Sequence, residues 1–333
     1  MAVKKSSENY IVLSTKTIFI TAASAVLVWL FIQIKEIILL IFISLMLSLA
    51  LAPFVEFLGK KRIPRGLAIL IIYTILIAIL ALVGIVALPP VIVQTTQFIN
   101  SLPQILSNLG EVPILNRITT DLNNFLAEQF IGASGNVIKV TVGAFSGIIS
   151  TVSLLVFTAY LLLDLDNLRE AFLFFLPQKP QKEAAKVLKE IEYKLGTWLR
   201  GEFILMCLVG GITYLGLLLL GVKYAAPLAL IAGLLEIVPM IGPVISAVPG
   251  VIVGFSISPM TGLGVLAVYI GVQQLENNFI VPKVMQKAIG FNPLITLLAL
   301  LIGGKLFGVV GALLSVPLTL IIVIVTKHVL EYE

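Results

Sequence analysis

The sequence holds one cysteine, Cys207, and one histidine, His328, and only 12% of its 333 residues are charged. A single thiol excludes a disulfide framework and a cysteine-based metal cluster. A single histidine excludes paired-histidine metal ligation of the HExxH kind. No GxSxG sequence is present to build a serine hydrolase around His328, which reads as an interfacial residue at the end of the last apolar run. No Walker A sequence occurs either, so nucleotide hydrolysis is not an expected energy source. Soluble domains carry about one quarter charged residues, which argues against a soluble globule here.

Hydrophobic residues are what the chain has in excess, at 59%. Several charge-free apolar runs reach the ~20 residues needed to cross a hydrocarbon core of about 30 Å. The expected fold is all-α, a polytopic helical membrane protein with two Pro/Gly-broken helical hairpins. A β-barrel would show short alternating segments instead. The net charge of +5 lies mostly in the loops between apolar runs, where it sets orientation, and does not form a nucleic-acid surface. No cofactor is expected.

Apolar runs over 17–34 and 37–58 are expected as two spans joined by a turn at QIKE, and a third follows over 67–88. Pro89 and Pro90 are expected to end or kink that third helix, because proline lacks the amide hydrogen and clashes with the preceding turn. Residues 1–93 thus read as an N-terminal three-span region and 94–143 as an extracytoplasmic amphipathic region. The fourth span follows at 144–164, where Asp164 and Asp166 read as solvated end charges. Residues 165–201 form a cytoplasmic amphipathic region. Within it Ala184, Leu188, Ile191, Leu195 and Trp198 repeat at helical spacing opposite a lysine-rich face, suiting a membrane surface or a packed neighbour. Residues 202–333 make the C-terminal core, beginning with the fifth span at 202–221.

Two stretches of that core resist a simple count of spans. Residues 227–255 are too long for one crossing and are interrupted at PMIGP; 293–325 is interrupted at GGK. Both are expected to be re-entrant hairpins, opening from opposite faces, an organisation typical of transporters. With the N-terminus cytoplasmic, 17 Lys and Arg residues fall inside and 4 outside, as the positive-inside bias requires. This supports an orientation with the N-terminus and Lys327 cytoplasmic.

The candidate site residues are the polar groups at membrane depth. Glu236 precedes Pro239, Gly242 and Pro243, which free backbone groups that can bind a solute beside protein or a watery cavity. In QQLENN, Gln273, Gln274, Glu276, Asn277 and Asn278 share one broad helical arc that cannot face lipid. Lys305, in GGK, could neutralise Glu236 or Glu276.

PMIGP (239–243), QLEN (274–277), PKVM (282–285), GFNP (290–293) and GVVG (308–311), with Arg200 and Gly201 earlier, form an ordered set. That set resembles the autoinducer-2 exporter family, also called PerM-type permeases, over most of the chain. The resemblance implies a plasma (inner) membrane transporter, not an enzyme, with about eight hydrophobic crossings and both termini cytoplasmic, assembled as a homo-oligomer such as a pentamer. Asn292 stands where many such proteins have histidine, and Met240 where many have an aromatic residue. The expected function is secondary transport exporting a small polar metabolite such as autoinducer-2. The site would comprise Glu236, Pro239, Gly242, Pro243, Gln273, Gln274, Glu276, Asn277, Asn292 and Lys305. One alternative is sodium(lithium)/proton antiport through Glu236 or Glu276. Another is a membrane scaffold without transport, recruiting partners through its amphipathic segments.

Overall fold

A computed structural model describes residues 15–110, 137–175, 178–285 and 293–330. They form α1 (Thr15–Lys60), α2 (Arg65–Gly110), α3 (Val137–Phe174), α4 (Gln178–Leu219), α5 (Ala225–Leu235), α6 (Ile241–Ile257) and α7 (Pro259–Leu275). A π-helical turn (Glu276–Ile280), α8 (Val281–Val284) and α9 (Pro293–Leu330) complete the order, with no strand among the described residues. Four segments are long and apolar enough to span a bilayer: Gln33–Lys60, Ser150–Phe174, Gln181–Leu219 and Val310–Leu330. Four shorter apolar helical segments accompany them. The chain is therefore a polytopic helical membrane protein, as its composition requires.

The N-terminal half departs from the expected spans. QIKE does not turn: α1 runs unbroken through residues 33–36 for 46 residues, about 69 Å. Glutamine, isoleucine, lysine and glutamate are all competent in helices, and nothing in the tetrapeptide breaks one. A continuous helix cannot make an antiparallel pair of crossings. Lys4, Lys5 and Lys16 thereby lose the argument that placed them on the side of residues 59–66. Pro89 and Pro90 do not end α2, which continues to Gly110. The polar stretch from residue 94 is the far end of that helix and docks on the loop before α5. There Phe98 packs on Tyr224 at 5.3 Å between ring centroids, the Tyr224 hydroxyl meets Ser101 Oγ at 2.9 Å, and Gln94 accepts from the Ala226 amide at 3.1 Å.

The amphipathic stretch 178–200 is helical but continuous with the fifth span, together forming α4. Its apolar face packs on neighbours: Leu195 and Trp198 are buried with Met46 and Leu49 of α1, Leu165 of α3 and Leu320 and Ile324 of α9. Pro53 explains one contact here. It has no amide hydrogen to give the Leu49 carbonyl four residues earlier. Arg200 Nη1 supplies the replacement, lying 3.3 Å from Leu49 O and 3.0 Å from Ala50 O. At one end of the bundle Asp166 is half exposed and bridges Arg65 at 2.7 Å and Arg169 at 3.2 Å, so it is paired as well as solvated.

The two broken segments double back. Pro239 cannot donate to the Leu235 carbonyl, which stops α5. Met240 then adopts φ 68°, ψ −42°, and Ile241 N bonds Pro239 O at 2.8 Å, a γ-turn of positive φ. Gly242 lies so close to Leu235 that a Cβ would fall on that carbonyl oxygen. In a straight helix seven residues would separate the two by about 10 Å. In α9 the reversal falls at Phe307 and Gly308 (φ 62°, ψ −144°), just beyond GGK. Only glycine adopts that conformation readily. Gly303 instead lets the two arms touch, since a Cβ there would strike Gly311 O.

Candidate functional site

Three carboxylates meet where these irregular turns lie. Glu236 sits at the C-terminal end of α5, beside the Pro239 break, and is 1% exposed. Glu276 opens the π-turn after α7 and is 5% exposed. Glu202, two residues beyond Arg200 on α4, is 1% exposed and faces both within electrostatic range.

The π-turn has a sequence cause. Pro282 cannot donate to the Asn278 carbonyl and its ring crowds that oxygen, so the preceding turn widens. The Val281 amide reaches back five residues to the Glu276 carbonyl. The widened turn carries the Glu276 side chain inward, into the same buried region as Glu236. Gln273 Nε2 donates to Glu276 Oε2 at 3.2 Å. Both Glu202 oxygens and Glu236 Oε2 are buried without a hydrogen-bond partner among the described residues.

No lysine or arginine pairs with any of the three carboxylates among the described residues. Arg200 is nearest along the chain, but its guanidinium is engaged by the α1 carbonyls and by Thr197 Oγ1 at 3.1 Å. Lys305 is exposed near the tip of the α9 hairpin and has no ion pair with Glu236 or Glu276. The site is thus a buried, acceptor-rich cluster with no paired cation among the described residues.

The other expected site residues divide. Gly242 and Pro243 are buried and Pro239 half-buried at the break, next to Glu236. Gln273 is half-buried and joined to Glu276. Gln274, Asn277 and Asn278 are exposed, and Asn278 Nδ2 bonds Gln274 at 2.9 Å, so these amides form an outer rim. Asn292 lies outside the described residues, as does the stretch 111–136. Glu202 was not among the expected residues. Its signal was a carboxylate one residue into an apolar run, flanked at three and four residues by Trp198, Leu199, Leu205 and Met206 with no counter-charge.

Small residues hold α4 close to α5 and to the end of α8, on the two sides of the acid cluster. A Cβ on Gly233 would come within 2.7 Å of Met206 O, and one on Gly201 within 2.8 Å of Met285 Sδ. No cluster of His, Cys, Asp and Glu with metal-binding geometry occurs among the described residues.

Residues 18–331 match the family described as AI-2E family transporter. The chain is 32% identical over 297 residues to YhhT of Escherichia coli (strain K12), covering 85% of this chain and 82% of YhhT. It is 27% identical over 314 residues to YrrI of Bacillus subtilis (strain 168), covering 90% and 88% of the two chains. It is also 28% identical over 301 residues to the AI-2 transport protein TqsA of Escherichia coli (strain K12), covering 88% and 86%.

Proposed function

The chain belongs to the AI-2E family of transporters, and on that premise we propose that it exports a small, uncharged, polyhydroxylated metabolite of the autoinducer-2 kind. The observation that carries this reading is the convergence of Glu202, Glu236 and Glu276 at two distorted turns, without a paired cation among the described residues. Buried acceptors with unmade hydrogen bonds are costly, and hydroxyl donors of a bound solute would complete them. An anion would be repelled by the same groups. Glu236 and Glu276 would hold the solute at the PMIGP break, Glu202 would close the third side, and Gln273 would orient Glu276. Gln274 and Asn277 would line the approach, while Lys305 and Asn292 would belong to the path outside the acid cluster.

The two doubled-back segments are then re-entrant hairpins that move against the long helices as access alternates. The lysine-rich segments 59–66 and 165–201 and the C-terminal Lys327 lie in the cytoplasm of the inner membrane. The protein works as a homo-oligomer, driven by an ion gradient or by the gradient of the solute.

Uptake of labelled autoinducer-2 into inverted vesicles tests the proposal. Removing a hydrogen bond to a charged acceptor costs about 1.5–3 kcal/mol, so Glu236→Leu or Glu276→Leu should slow uptake at limiting solute by about tenfold or more. Uptake equal with and without the protein would sink the reading. Cation-dependent proton flux lost in Glu236→Gln and Glu276→Gln, with no solute moved, would replace it by sodium–proton exchange.

A further inference from the structure

About two helical turns from Glu202, toward the basic end of α4, a separate cleft of about 980 Å³ opens between α1, α3, α4 and α9. Its floor is hydrocarbon: Leu45, Leu165, Leu188, Ile191 and Val325. Its polar lining residues, Arg169, Glu183, Glu192 and His328, come from the end of α3, the start of α4 and the end of α9. Charge therefore gathers at one end and aliphatic surface at the other, the form of a site for an amphiphile. The outer edge is not closed by protein, since Phe172 and Val329 remain 57% and 59% exposed.

The charges at the mouth have a sign. Glu192 is held by Arg169 at 2.7 Å and Glu183 by Lys186 at 2.8 Å. Glu190 lies 3.3 Å from Lys194 and 3.5 Å from His328. Each acid is thus matched by a base, whereas Lys182 and Lys189 on the flank of α4 have no ion pair among the described residues. Residues 178–200 carry five lysines and Arg200 against three glutamates, a surplus of +3. Basic residues flanking an apolar surface at the membrane boundary attract anionic lipid.

We propose that this cleft holds an acyl chain of an anionic phospholipid from the adjoining leaflet, with the headgroup phosphate against the basic flank of α4. The lipid completes the packing between the amphipathic half of α4 and the ends of α3 and α9. It occupies the position that apolar side chains would fill in a soluble protein, and its charge selects the leaflet.

The test uses the full-length protein in vesicles with phosphatidylglycerol or phosphatidylcholine carrying the same photoreactive acyl chain. Cross-links mapped by peptide mass spectrometry should fall on residues 165–172, 188–191 and 321–325. Labelling there should be about fivefold stronger from phosphatidylglycerol, the preference expected for one basic contact. Unlabelled phosphatidylglycerol should displace it. Ala184→Trp, which fills the cleft, should abolish these cross-links and leave those on the exposed Leu215 and Ile270. Equal labelling by the two lipids would overturn the proposal, as would labelling untouched by Ala184→Trp. If Ala184→Trp does not fold, displacement of the label in the unaltered protein decides alone. Disulfide-linked dimers through Leu188→Cys in a Cys207→Ser background, with no lipid label, would instead assign the cleft to a second copy of the chain.

Discussion

Replacing Arg200 by methionine should destabilise the protein by an amount that depends on a proline in another helix. Pro53 leaves the Leu49 carbonyl without its helical donor, and Arg200 Nη1 reaches that oxygen and Ala50 O at 3.3 and 3.0 Å. A hydrogen bond from a charged donor is worth about 1.5–3 kcal/mol, and a carbonyl left unpaired away from water adds to the loss. Arg200→Met should therefore cost about 2 kcal/mol. In a Pro53→Ala background the amide of residue 53 can serve Leu49 O, leaving only the Ala50 contact to lose. The cost should then fall to about 1 kcal/mol or less. The four proteins form a double-mutant cycle. Unfolding could be followed by denaturant titration in mixed micelles, with fluorescence from Trp198, two residues from Arg200, in a Trp29→Phe background. An Arg200→Met cost equal in the two backgrounds to within about 0.5 kcal/mol, the usual additivity error, would refute the reasoning.

Three other outcomes follow from the irregular backbone and the close helix contacts. Gly233→Val, which meets Met206 O, should lower stability by about 1–3 kcal/mol, whereas Gly211→Ala, with open space around it, should be tolerated in the same unfolding assay. Gly308→Ala should cost about 1–3 kcal/mol, because its φ of 62° with ψ of −144° suits glycine almost alone; a loss below about 0.5 kcal/mol would show that the turn can relax. Met240→Gly should raise stability by about 1 kcal/mol through relief of its positive φ, while solute flux in vesicles falls as the PMIGP turn loses its fixed shape; a gain in both would contradict that role for the turn.

The membrane class and the two doubled-back segments were legible in the sequence because proline and glycine act locally. Pro239 must interrupt α5 wherever the helix is placed. Glu236 and Glu276 were legible for a related reason, since a carboxylate in an apolar segment demands a partner. What was hidden depended on tertiary contact. Nothing local says whether QIKE turns or continues, because all four residues accept a helix. Pro89 and Pro90 weaken α2 locally, yet its far end is held by Tyr224 and Ala226, more than a hundred residues away in sequence. The pairing of Lys305 was beyond reach because the reversal comes at Gly308 rather than GGK, which leaves the lysine near an exposed tip. Glu202 was obscured by Arg200: two residues apart they resemble a charge pair, but one is drawn to α1 and the other into the core.

The unbroken course of α2 also makes it a mechanical link. Arg65 at its start is bolted to Asp166, and Ser101, about 54 Å along the axis, touches the base of the α5–α6 hairpin through Tyr224. A rod of that length amplifies angle: a tilt of about 5° at one end displaces the other by about 5 Å. Pro89 and Pro90 remove the backbone bonds to the carbonyls of Ile85 and Val86, giving the rod one softened joint between its anchors. A tilt of the hairpin base would load the Arg65–Asp166 ion pair at the far end of the rod, less whatever bending the Pro89–Pro90 joint takes up.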